Sequence, residues 1–190
     1  MRKINAFLFI SLDGYYKDGH NDISWHKHGG DESEFSANSL KANNILLFGR
    51  VTYEMMVGFW TTPMAIETLP DVAEGMNKSE KIVFSNSMKK AEWNNTTLIS
   101  GDIINQIRNM KSEPGKDMTI LGSGSIVSQF ADAGLIDSIQ LMIDPVALGS
   151  GTAAFNGIKN KLEMKLTETR TFKSGVVLLN YEIEKKIIRF

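Results

Sequence analysis

The sequence predicts an α/β domain of three layers, in which a mixed, mainly parallel sheet carries helices on both faces and closes with a C-terminal antiparallel hairpin. Three observations carry this. Short, nearly continuous apolar runs mark strands that are covered on both sides. The stretches between them space their apolar residues as helices do. After residue 135 the runs lengthen and begin to alternate, and Lys173-Ser174-Gly175 supplies a hairpin turn.

The first run, residues 4–12, ends in Asp13-Gly14 and reads as a strand, since its Asn5 and the lack of a small-x-small cleavage site argue against a signal peptide. A polar loop with His20, Trp25, His26 and His28 follows. A helix is predicted over 31–43, its first-turn acids Asp31, Glu32 and Glu34 matching the positive end of the helix dipole. Phe35 marks its inward face, with Glu32 and Glu34 read as pointing elsewhere. Residues 45–48 form the next strand, which feeds a helix through Gly49 and Arg50. Residues 81–84 and 97–100 are further strands, separated by the turn that begins Ser85-Asn86-Ser87. Ile103, Ile104, Ile107 and Met110 share one helical face. The strand 118–121 runs through Gly122-Ser123-Gly124-Ser125 into a helix that starts near Ile126 and stops at Gly134. Runs at 136–143, 162–172 and 176–183 then add antiparallel strands to the same sheet. With no linker-like segment, 1–184 reads as one domain and 185–190 as a tail.

The composition narrows the function. Among 190 residues, 42% are hydrophobic and 23% charged, enough apolar material for a real core. Twenty-one basic against 22 acidic residues leave no field for nucleic acid or anionic lipid. No apolar stretch approaches a membrane span, and the reading is of a cytoplasmic protein acting on a small molecule. The absence of Cys excludes disulfides, thiolate metal sites and cysteine nucleophiles, so redox chemistry must come from an organic cofactor. Asp18, Asp22, His26 and His28 share an irregular loop and are read as ordinary loop residues; no metal is expected.

Ligands of open parallel sheets bind beyond the carboxyl ends of the strands. There, Gly122-Ser123-Gly124-Ser125 lets a backbone approach closely and opens a helix whose free N–H groups attract anions, though the third slot of a GxGxxG fingerprint is Val127. Arg50 opposes the dipole of the helix it opens, so Arg50 and Thr52 read as phosphate ligands, the alternative being an Arg50–Glu54 surface pair. Ser85, Asn86, Ser87, Lys89 and Lys90 offer hydroxyls, an amide and cations.

Taken together, Ser11-Leu12-Asp13-Gly14, Trp25, residues 47–54, Phe84-Ser85-Asn86, residues 121–125 and residues 144–151 resemble the dihydrofolate reductase-like family, most closely the reductase domain of bacterial riboflavin-biosynthesis deaminase-reductases and its stand-alone relatives. The resemblance implies NADPH across the strand ends and a homodimer. Gly49, Arg50 and Thr52 would hold phosphate, Ser85 and Asn86 would lie near the adenosine ribose, and Gly122, Ser123, Gly124, Ser125 and Ile126 would cradle pyrophosphate. Leu12, Asp13, Gly14 and Trp25 would lie on the substrate side, with 148–151 in the cleft wall. The helix acid of dihydrofolate reductase has no clear counterpart; Asp13 and Glu34 are the candidates for its proton-donating role. The expected function is an NADPH-dependent reductase acting on a heterocyclic or ribosylated pyrimidine substrate. The alternatives are dihydrofolate reduction and a nucleotide-binding protein without turnover.

Overall fold

The computed structural model describes residues 1–26 and 29–184; the expected tail at 185–190 and His28 lie outside them. The chain runs β1 (Ile4–Ser11), β2 (Tyr15–Asp18), α1 (Gly30–Leu40), β3 (Ile45–Gly49), α2 (Arg50–Trp60), α3 (Pro63–Thr68), α4 (Pro70–Lys78), β4 (Lys81–Phe84) and β5 (Thr96–Ile99). It continues α5 (Ile103–Ser112), β6 (Met118–Leu121), α6 (Gly124–Asp132), β7 (Ser138–Asp144), β8 (Gly151–Ala153), β9 (Met164–Thr171) and β10 (Val177–Ile183).

Eight strands form one sheet in the order β5-β4-β3-β6-β1-β7-β10-β9, with β2 and β8 paired separately. From β5 to β7 every neighbour is parallel. The sheet ends in β10 and β9, each antiparallel to the strand before it in that order. β7 therefore departs from the expectation that antiparallel strands begin at 136. Helix α6 carries the chain across β1 and returns it in the same direction, as a crossover does.

Side chains alternate between two helical layers. Ile4, Ala6, Leu8 and Ile10 of β1, with Ile45 and Leu47 of β3, pack with Ile107 of α5 and Val127 and Phe130 of α6. Leu46 and Phe48 face the other way, onto Ala37, Tyr53, Trp60, Val72 and Met76 of α1, α2 and α4. Phe7 and Phe9 meet Phe35 and the buried Phe172. Such buried side chains each contribute roughly 1.5–3 kcal/mol relative to exposure.

Helices α3 and α4 went unread in the sequence, although each has Pro in its first turn and Thr62 caps α3 by accepting from Ala65 N. The end of α4 is closed from β4. Lys81, 1% exposed, donates from Nζ to the carbonyls of Met76 (2.8 Å), Asn77 (3.2 Å) and Ser79 (2.6 Å) and lies 4.5 Å from the Trp93 ring centroid. Cations suit helix C-termini.

Candidate active site

Two strand-to-helix turns lock together at the carboxyl end of the sheet. Gly49, the N-cap of α2, donates its N–H to Ser123 Oγ at 3.0 Å. Ser123 is itself the N-cap of α6, in the left-handed region at φ 55°, and its hydroxyl also reaches Leu121 O at 3.3 Å. Gly122 beside it has φ +60°, a conformation that favours glycine, and a Cβ there would touch Thr52 Cγ2 at 3.4 Å. A third turn is tied by its own side chains. Ser85 Oγ accepts from the N–H groups of Ser87 and Met88, both at 3.1 Å, and Asn86 Oδ1 accepts from Gly101 N at 2.8 Å.

These turns border one cleft of about 1530 Å³. All ten residues singled out as cofactor ligands line it: Gly49, Arg50, Thr52, Ser85, Asn86, Gly122, Ser123, Gly124, Ser125 and Ile126. Neither α2 nor α6 has a side-chain cap, so both leave N–H groups and a positive dipole end at the cleft. The side chains differ in what they leave open. The guanidinium of Arg50 binds both oxygens of Glu54, at 3.0 and 2.9 Å, in an exposed pair. The oxygens of Ser123, Ser85 and Asn86 fix the turns themselves, whereas Thr52 makes no side-chain hydrogen bond to another described residue.

Part of the rest of the cleft is aromatic. Phe7, Phe9, Tyr16, His26 and Phe35 line the cleft. His26 stacks on Phe9 at a centroid distance of 3.7 Å and 27° between planes. Its Nδ1 lies 2.7 Å from Asp144 Oδ2, and both side chains are buried. Asp144 is the last residue of β7, in register with Ser11 at the end of β1.

Leu12, Asp13, Gly14, Trp25 and Glu34 do not line the cleft. Asp13 is a loop anchor. It accepts from Ser11 Oγ at 2.6 Å, from Gly149 N at 2.7 Å and from Leu148 N at 3.1 Å. The Ser11 hydroxyl first, then those two N–H groups, hold its carboxyl down at about 2. A carboxylate so stabilised has no proton to give near neutrality. The segment 148–151 is thereby pinned beside β8 rather than set in the cleft wall. Leu12 is exposed, Gly14 turns the chain at φ +85°, and Trp25 donates from Nε1 to Asp22 O at 3.2 Å. Glu34 is exposed, but Glu32 is buried and bonded to Ser174 Oγ, against the expected direction. Three residues before Phe35 amounts to a rotation of only about 60°, so Glu32 shares its face. Lys89 and Lys90 also stand outside the lining.

Sequence reading missed Tyr16 and the His26–Asp144 pair as cleft features. The pair spans 118 residues, and only the polar loop and the Asp144-Pro145 turn hinted at it. Among the described residues no three His, Cys, Asp or Glu gather as a metal site, and no helix is long and apolar enough to cross a membrane.

A sheet of this order, with its cleft at the strand ends between two glycine turns, has the dihydrofolate reductase-like fold. The dihydrofolate reductase of Enterococcus faecalis superposes with a TM-score of 0.65 at 15% identity, over 96% of this chain and 97% of that one. The chain belongs to the RibD C-terminal domain family, whose model matches residues 2–178. Among solved structures, a Shewanella sp. PV-4 protein assigned to riboflavin biosynthesis gives a TM-score of 0.75 at 19% identity, covering 96% of this chain and 99% of that one. The Bacillus subtilis protein YyaP is 28% identical over 180 residues, 95% of this chain and 94% of its own.

Proposed function

We propose that the protein is an NADPH-dependent reductase that delivers hydride to a C=N or C=O bond of a small heterocyclic substrate, ribosylated pyrimidines being the family's model. The observation that carries this reading is the convergence of the uncapped α2 and α6 starts and the Ser85-Asn86 turn on one cleft. A dinucleotide needs anion sites separated in this way. The residues fit such a group: Gly122 has no side chain in the cradle, and at Gly124 a Cβ would lie 2.7 Å from the Tyr16 ring. The α6 start and Thr52 would hold phosphates, with Arg50 joining them on release from Glu54. The bound cofactor supplies the hydride.

The chain's own part is to orient the substrate, exclude water and manage one proton. Phe7, Phe9 and Phe35 offer an apolar wall of interlocking rings, Phe7 standing edge-on to Phe9 at 78°. Asp22 is the one carboxylate among the lining residues, and the Ser24 hydroxyl and nearby N–H groups hold its pKa low, so it is a poor acid. His26, which lines the cleft and is oriented through Nδ1 by Asp144, is the side chain we assign to supply the substrate's proton. Dihydrofolate reduction calls for an acid group beside the pterin ring, and no described carboxyl here both lines the cleft and retains a proton. The test is a steady-state assay of NADPH oxidation against pyrimidine ribosides, pterins and quinones. The reading expects turnover of a pyrimidine or related heterocycle and none with dihydrofolate. NADPH binding without oxidation by any substrate favours the non-catalytic alternative, and robust dihydrofolate turnover overturns the assignment.

A further inference from the structure

The strand β2 carries a bulge. Tyr15 pairs with Ala153 and Lys17 with Thr152, so Tyr16 has no partner of its own across the ladder. Bulges re-aim side chains, often beside active sites. Here the ring of Tyr16 is turned onto the first residue of α6. A Cβ at Gly124 would stand 2.7 Å from Cε1, 2.9 Å from Cζ and 3.1 Å from the hydroxyl oxygen of Tyr16. Real Cβ atoms do not approach ring carbons so closely, so glycine at 124 is what lets this ring sit where it does. Tyr16 lines the cleft, and its hydroxyl makes no hydrogen bond with another described residue. Burial without a partner pushes the phenol's pKa above its ordinary value and keeps the group a neutral O–H donor.

We propose that Tyr16 is a ligand-binding residue of the α6 anion site, its hydroxyl donating to a phosphate oxygen of the ligand bound there, and that Gly124 serves to seat the Tyr16 ring. The inference rests on the reading that the cleft takes a nicotinamide dinucleotide. It adds a donor to the backbone N–H groups and gives Gly124 a second reason to lack a side chain. A hydroxyl that donates to a charged oxygen makes one of the stronger classes of hydrogen bond.

The test is calorimetric titration of the full chain with NADPH and, separately, with inorganic pyrophosphate. Tyr16→Phe keeps the ring and removes the donor; it should raise the NADPH Kd about tenfold or more, the loss expected for a bond to a charged group. Gly124→Ala should weaken binding at least as much in the wild-type background, yet cost little in a Tyr16→Ala background, where no ring remains to be displaced. That coupling separates seating of the ring from a direct role of the glycine, and melting curves confirm that each variant is folded. An unchanged Kd in Tyr16→Phe, or an equal cost of Gly124→Ala in both backgrounds, overturns the proposal. Pyrophosphate binding that depends on Tyr16, without NADPH binding, upholds this inference and overturns the cofactor reading. Wild-type protein that binds neither probe overturns both.

Discussion

Replacing Ser123 by Ala removes the contact that joins the two glycine turns. The Gly49 N–H loses its acceptor at 3.0 Å, and Leu121 O loses its weaker partner at 3.3 Å. Ser123 is buried, so water enters poorly to replace the hydroxyl. A buried donor left unsatisfied costs about 1–3 kcal/mol. The backbone gives no relief, because Ala at φ 55° bears the same left-handed strain as Ser. Ser123→Gly also loses the bond but recovers about 1 kcal/mol of that strain. The expected order of stability is therefore wild type, then Gly, then Ala. For a chain of this size 1 kcal/mol moves Tm by about 2–4 °C, so Ser123→Ala should melt several degrees low. Scanning calorimetry reads the order, and calorimetric titration should show weaker NADPH binding in both variants because α2 and α6 are no longer held in register. Melting of Ser123→Ala at the wild-type temperature, or below-Ala stability of Ser123→Gly, refutes the reasoning.

Burial pulls the Lys81 ammonium down to about 8 from 10.5. Between those values the unfolded chain binds more protons than the folded one, so this residue makes stability rise with pH, by at most about 1.4 kcal/mol per pH unit. Urea denaturation at pH 8, 9 and 10 should show the rise in wild type and lose it in Lys81→Met; identical slopes contradict the account. Glu54→Gln frees Arg50 from an exposed pair worth about 0.3–0.5 kcal/mol, so NADPH should bind about twofold more tightly. Weaker binding in that variant would mean that Glu54 orients Arg50 instead of competing for it.

What the sequence disclosed, and what it hid, follows from the range of the forces involved. Strands covered on both faces leave continuous apolar runs, so β3, β4 and β6 were legible, and so were the glycine turns at their ends. The six- and nine-residue helices α3 and α4 were obscured by Pro63 and Pro70, which punctuate a sequence as readily as they open a helix. β7 looked like its antiparallel successors because strand direction depends on the crossover, not on local pattern. The glycine turns proposed for the cofactor were legible because backbone geometry marks itself with glycine. The aromatic lining of the cleft was not. His26 meets Asp144 across 118 residues, and Tyr16 reaches Gly124 through a bulge. Asp13 drew attention as an acid at a strand end, but its partners at 148 and 149 are visible only in three dimensions.

The central claim is that these strand ends hold a phosphorylated nicotinamide dinucleotide, and paired calorimetric titrations with NADPH and NADH test it most directly. Of the candidate anion ligands, Arg50 and Ser85 line the cleft and would offer more to the extra phosphate than to a bare ribose. One charge-assisted hydrogen bond of about 1.5–3 kcal/mol predicts at least tenfold tighter binding of NADPH. Equal dissociation constants, or no binding of either, contradict the claim.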